Sequence, residues 1–76
     1  MLIRVRRLPP RLLRRRVYEV EFVFEGELTR REVTSAPVPL IDGYLGLADA
    51  SALVRSADQA WSGGAGEWVT SAARDP

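Results

Sequence analysis

Cysteine, histidine, lysine and asparagine are all missing from this 76-residue chain, and most of these absences remove a class of chemistry. Without cysteine there is no disulfide and no thiolate metal site to supplement a small core. Without histidine the commonest general base and the commonest transition-metal ligand are gone. Without lysine there is no Schiff base and no lysine for a phosphate-binding loop. Long apolar runs are missing too, so nothing approaches the roughly 18–20 residues that span a bilayer. The basic start of the chain lacks the apolar stretch of a secretory signal, and Pro9 and Pro10 break any amphipathic transit helix there. The expectation is a cytoplasmic protein with no membrane partner.

The residues that remain offer little to catalysis. Serines and threonines are present, but no histidine or lysine can activate them. Glu19, Glu21 and Glu25 alternate along one stretch, which reads as the wet face of a strand and not as a desolvated acid–base pair. Asp42, Asp49 and Asp58 do not follow the spacing of a calcium loop. Gly63-Gly64-Ala65-Gly66 follows a helical segment, whereas a phosphate cradle precedes one. The composition therefore points away from an enzyme, with no catalytic residue, no cofactor and no metal expected.

What the chain does have is electrical asymmetry. Arg4, Arg6, Arg7, Arg11, Arg14, Arg15 and Arg16 fall in the first sixteen residues, which contain no acid. The other four arginines and all ten carboxylates follow, so the formal net charge of +1 is +7 and then −6. Internally, Arg4 and Arg6 are placed to pair with Glu19, Glu21 or Glu32 on neighbouring strands. Externally, the same cluster can meet an acidic protein or a nucleic-acid backbone.

Hydrophobic periodicity supplies the elements. Residues 1–16 read as an arginine-rich strand, stopped by Pro9-Pro10, and a connector. In 17–36, Tyr18, Val20, Phe22 and Phe24 share one face of a strand that turns at Glu25-Gly26 into a return strand. A two-residue loop would set Arg30 opposite Glu21; a three-residue loop would set Arg31 there. Prolines and the Asp42-Gly43 turn signal make 37–46 an apolar loop. From 47 to 62 the period is helical, with Ala50, Leu53, Val54, Ala57 and Trp61 on one face, Asp49 as N-cap and Gly63-Gly64 as the stop. A last strand is expected in 66–73.

The fold class that follows is α+β: one domain, a small antiparallel or mixed sheet of about four strands in the order β-β-β-α-β, with one helix packed on one face. A chain this short buries only about 60–65% of its unfolded surface, so every large apolar residue is needed. In scale and layout it resembles the small stand-alone α+β proteins that phages encode as inhibitors or adaptors of host machines. The expected role is a non-enzymatic protein-binding module, a small inhibitor or adaptor, docking on an acidic or nucleic-acid-binding protein. The contacts would be the seven leader arginines together with Leu40, Ile41, Tyr44 and Leu45. It would be a monomer, or a homodimer through an edge strand. A nucleic-acid-binding protein using the arginine cluster is the alternative, and a structural subunit of a larger assembly the second.

Overall fold

The computed structural model describes residues 1–10 and 15–73. It contains β1 (Leu2–Leu8), β2 (Val17–Phe24), β3 (Glu27–Thr34), α1 (Pro37–Leu45), α2 (Leu47–Gln59) and β4 (Val69–Ala72). The strands form one antiparallel sheet in the order β3-β2-β1-β4, with both helices on one side. This is the expected α+β class, with one helix more than expected.

Strand alternation explains the core. On β1 and β2, Ile3 pairs with Phe22 and Val5 with Val20, so these four share the face turned to the helices. They are buried together with Tyr18, Ile41, Ala50, Leu53 and Ala57. The alanines of α2 let the helix backbone lie close to the sheet. Phe24, expected on this inner face, is half-exposed where the hairpin runs beyond the helix layer.

The hairpin turns at Glu25 and Gly26, both at positive φ (51° and 82°). That is the pattern of a two-residue type I′ turn, whose twist matches the strands it joins. Phe24 pairs with Glu27 and Val23 with Leu28, but Phe22 pairs with Arg30, leaving Thr29 as an extra residue in a β-bulge. The Thr29 hydroxyl donates to the Phe22 carbonyl at 3.1 Å. Beyond the bulge Arg31 stands opposite Glu21 and Val33 opposite Glu19. The two-residue loop is thus combined with the register expected of a longer one. Without the bulge, Val33 would face Tyr18 and the helices.

Residues 37–46, expected to be a loop, form helix α1. The prolines do not prevent it, because Pro37 and Pro39 occupy the first turn, where helix N–H groups have no intrahelical partner. The apolar residues that looked excessive for a loop are the reason for the helix: Ile41 is fully buried, and Val38, Leu40 and Leu45 pack against the core. Gly46, at φ 82°, ends α1 and begins α2. Its N–H donates to the Asp42 carbonyl at 2.7 Å, and its own carbonyl accepts from Ala50 at 3.0 Å. Gly46, and not Asp49, is therefore the N-cap of α2, and Asp49 lies in the first turn. The second helix stops at Gln59, short of 62, and the last strand spans only 69–72.

Among the described residues topology then leaves one face open. The chain exits β3 at one edge and must reach β4 at the other, and α1 and α2 make that crossing. A single crossing covers one face only. No helix among the described residues is long and apolar enough to cross a membrane.

Candidate binding face

The uncovered side of the sheet collects the alternate residues of every strand. From β1 come Leu2, Arg4, Arg6 and Leu8; their partners on β2 are Val23, Glu21, Glu19 and Val17. Arg31, Val33 and Leu28 follow on β3, and Thr70 and Ala72 on β4. Trp68 precedes β4 and lies beneath both Arg4 and Arg6, whose guanidinium carbons stand 4.5 and 4.6 Å from its ring centroid. Each is within cation–π range.

Ion pairs organise the centre of this face. Arg6 donates through Nε at 2.7 Å to Oε1 of Glu19, and its second contact to the same oxygen is 2.6 Å. Arg31 binds the other oxygen, Oε2, through its Nε and Nη2. Both carboxylate oxygens of Glu19 are therefore occupied, and the residue is only 2% exposed. This corrects the reading of Glu19 as a solvated strand residue: two guanidiniums cover it. Arg4 meets Glu21 at 3.1 Å through Nη1.

The layering is uneven. Glu19 and Glu21 are 2% and 14% exposed at their side chains, whereas Arg6, Arg4 and Arg31 are 28%, 36% and 59% exposed. Solvent meets guanidinium first and carboxylate second. Beside this polar field runs an apolar row across the four strands, Ala72, Leu2, Val23 and Leu28 in register. Leu2, Leu28 and Val33 stand among the large apolar residues left exposed.

The arginine cluster of the leader does not act as one patch. Period-two alternation sends Arg4 and Arg6 to the open face and Arg7 to the helix side. There Arg7 stacks on Trp61, 3.8 Å from the ring centroid, and contacts Oδ1 of Asp58 at 3.4 Å. Arg16 reaches Oδ2 of the same carboxylate at 3.2 Å, and Tyr18 donates its hydroxyl to Oδ1 at 2.7 Å. Burial, and then the hydrogen bond and charge of Asp58, raise the Tyr18 phenol above its ordinary value. Arg15 is exposed and makes no ion pair among the described residues. Arg11 and Arg14 lie outside the described residues.

The second predicted patch is also divided. Ile41 is in the core, Leu40 and Leu45 are partly buried against it, and Tyr44 is half-exposed with its ring 5.3 Å from that of Phe22. Leu40, Ile41 and Leu45 are therefore chiefly core-filling.

Glu19, Glu21, Arg31, Trp68, Leu2, Leu28 and Val33 were not named as site residues in the sequence. The opposite charge of β1 and β2 at alternate positions marked Glu19 and Glu21 as partners of Arg4 and Arg6, but not as part of a binding face. Nothing local marked Val33, because the bulge decides its side. Among the described residues no three histidine, cysteine, aspartate or glutamate side chains gather as a metal site. Comparison with protein families, with curated proteins and with solved structures finds no match.

Proposed function

We propose that this chain is a non-enzymatic protein-binding module that docks through the uncovered face of its sheet. A small inhibitor or adaptor working in the cytoplasm is the role this suits. The observation that carries the reading is the composition of that face: half-exposed Leu2, Leu28 and Val33 share it with Trp68 and three arginines. Tryptophan and arginine are the residue types that dominate binding energy at protein interfaces, and the exposed aliphatic side chains beside them add apolar area that a partner can bury.

Two further features support it. The titratable groups with the most contacts are already committed: Glu19 to two arginines, Asp58 to Tyr18, Arg7 and Arg16. The edge strand β3 carries a bulge at Thr29 and adjacent Arg30 and Arg31, devices that discourage strand addition. The face is a better docking surface than that edge.

The reading is tested with a Leu28→Glu/Val33→Glu variant, altered at two exposed positions and checked for native circular dichroism. Used as bait in a cell lysate, wild type should retain a protein that the variant loses. Equal retention by both, or retention by neither, would refute it.

A further inference from the structure

We infer that the partner presented to this face is an acidic polypeptide segment, whose carboxylates meet the guanidiniums of Arg4, Arg6 and Arg31. The inference rests on the docking role proposed above and names the chemistry of the occupant.

Charge layering is the first argument. Three guanidiniums stand over two carboxylates on this face, and the carboxylates are the inner layer, 2% and 14% exposed against 28–59% for the arginines. An approaching molecule meets cations. A second copy of this chain would bring an identical cationic layer against the first, so a face-to-face dimer is opposed by its own charge.

Preorganisation is the second. A free arginine loses much rotamer freedom when it is immobilised at an interface. Here Arg4 and Arg6 already lie on Trp68, and Arg6 and Arg31 are held by Glu19. Each guanidinium has five N–H donors, and the intramolecular contacts use only part of them. The remaining donors are fixed in direction before any partner arrives.

Spacing and surroundings decide between classes of anion. Arg4 and Arg6 are two residues apart on one strand, which sets their backbone positions about 6.6–6.8 Å apart. Acidic residues at alternate positions of an extended segment have the same repeat. A single-stranded nucleic acid also needs aromatic surfaces on which bases stack. Among the described residues the one aromatic ring of this face is Trp68, and it already carries two guanidiniums. Beside the arginines lie Leu2, Leu28 and Val33, aliphatic side chains suited to apolar residues of a polypeptide.

The experiment is a nuclear magnetic resonance titration of the 15N-labelled full chain, observing backbone amides, arginine Nε–H groups and the tryptophan indoles. The probes are a capped decaglutamate peptide, a capped decalysine peptide and a ten-residue oligothymidylate, each at ~50 mM salt, where screening is weak. Decaglutamate is expected to shift the Nε–H signals of Arg4, Arg6 and Arg31 and the Trp68 indole. Its apparent affinity should fall about fivefold in Arg31→Gln and in Arg4→Gln. Arg4→Gln leaves Glu19 and its two arginines intact, so it reports binding even if Arg31→Gln disturbs the fold. Decalysine should shift none of these signals.

Absence of arginine shifts with millimolar decaglutamate would overturn the inference, as would shifts confined to exposed Arg15 and to Arg55, which is exposed on α2. So would oligothymidylate binding the same groups more tightly than decaglutamate, which would assign the face to nucleic acid. The two levels separate cleanly. If decaglutamate fails while Leu28→Glu/Val33→Glu still abolishes capture, the acidic chemistry is wrong and the docking face stands. If that variant captures as wild type does, the docking role itself falls, whatever the titration shows.

Discussion

Tyr18, in the central strand β2 beside β1, donates its hydroxyl to Asp58 in the last turn of α2 at 2.7 Å. One hydrogen bond thus joins the sheet to the helix layer across forty positions of sequence. Asp58 sits at the negative end of the helix dipole, an unfavourable place for a carboxylate. Arg7, Arg16 and the Tyr18 hydroxyl offset that cost together.

Tyr18→Phe removes the donor and keeps the ring. Hydrogen bonds to charged groups contribute about 1.5–3 kcal/mol, and Asp58 retains two arginines and some solvent. A loss of about 1–2 kcal/mol in urea unfolding is expected; a change near zero would show that the arginines suffice.

Alkaline pH should reveal the same contact. The phenol of Tyr18 is raised in the folded state, first by burial and then by Asp58. A raised value means that ionisation is harder folded than unfolded. The associated stability is whole below pH ~10, the ordinary tyrosine value, and is lost as pH rises through the folded one. Stability measured between pH 8 and pH 11 should decline in wild type and decline less in Tyr18→Phe. Parallel curves would count against it.

Glu19→Ala should be far more damaging than Glu21→Ala. The first leaves Arg6 and Arg31 without the carboxylate both bind, and it empties a fully buried site. Removing one member of a buried pair costs about 3–5 kcal/mol; with Arg31 more than half exposed, about 2–3 kcal/mol is expected. Among the described residues Glu21 is paired with Arg4 alone, and it lies nearer to solvent. Thermal denaturation of the two variants side by side reads the difference.

Gly43→Ala should stabilise the chain. Gly43 lies within α1, and a Cβ there meets nothing within 4 Å. Alanine is favoured over glycine in a helix interior by about 0.8–1.0 kcal/mol. A rise in the unfolding midpoint is the expected result. Were 37–46 a loop, no such gain would follow.

Gly66→Ala should act in the opposite sense. Its N–H donates to the Arg7 carbonyl at 2.8 Å, and a Cβ would stand 3.0 Å from that oxygen. The backbone of β1 would have to give way, at about 1–3 kcal/mol as for other overpacked sites. Faster amide hydrogen exchange at residue 66 would accompany the loss.

Much of the fold was legible because the relevant signals are local. Tyr18, Val20 and Phe22 alternate with polar neighbours, and Ala50, Leu53 and Ala57 recur at helical spacing. These patterns hold whatever surrounds them. Residues 37–45 were misleading for the same reason: two prolines and Asp42-Gly43 are local loop signals, and what overrides them is burial of Ile41 against distant strands. The candidate site was legible only in part. Arg4 and Arg6 were correctly matched to glutamates of a neighbouring strand, but the leader cluster was treated as one patch, and alternation on β1 divides it between two faces.

The sequence by itself determined a small α+β domain without thiol, imidazole or amine chemistry, together with its β2 strand, its tight turn and its long helix. Those follow from residue types and short-range periodicity. Only the tertiary structure decided that residues 37–45 join the helix layer, because burial of Ile41 in the common core overrides their local loop signals. It also decided that Glu19 is buried under two arginines and that Val33 points outward. The Arg31 contact and the side of Val33 both depend on a bulge at Thr29 that shifts the pairing of β3 by one residue, and in a strand a shift of one exchanges inside for outside.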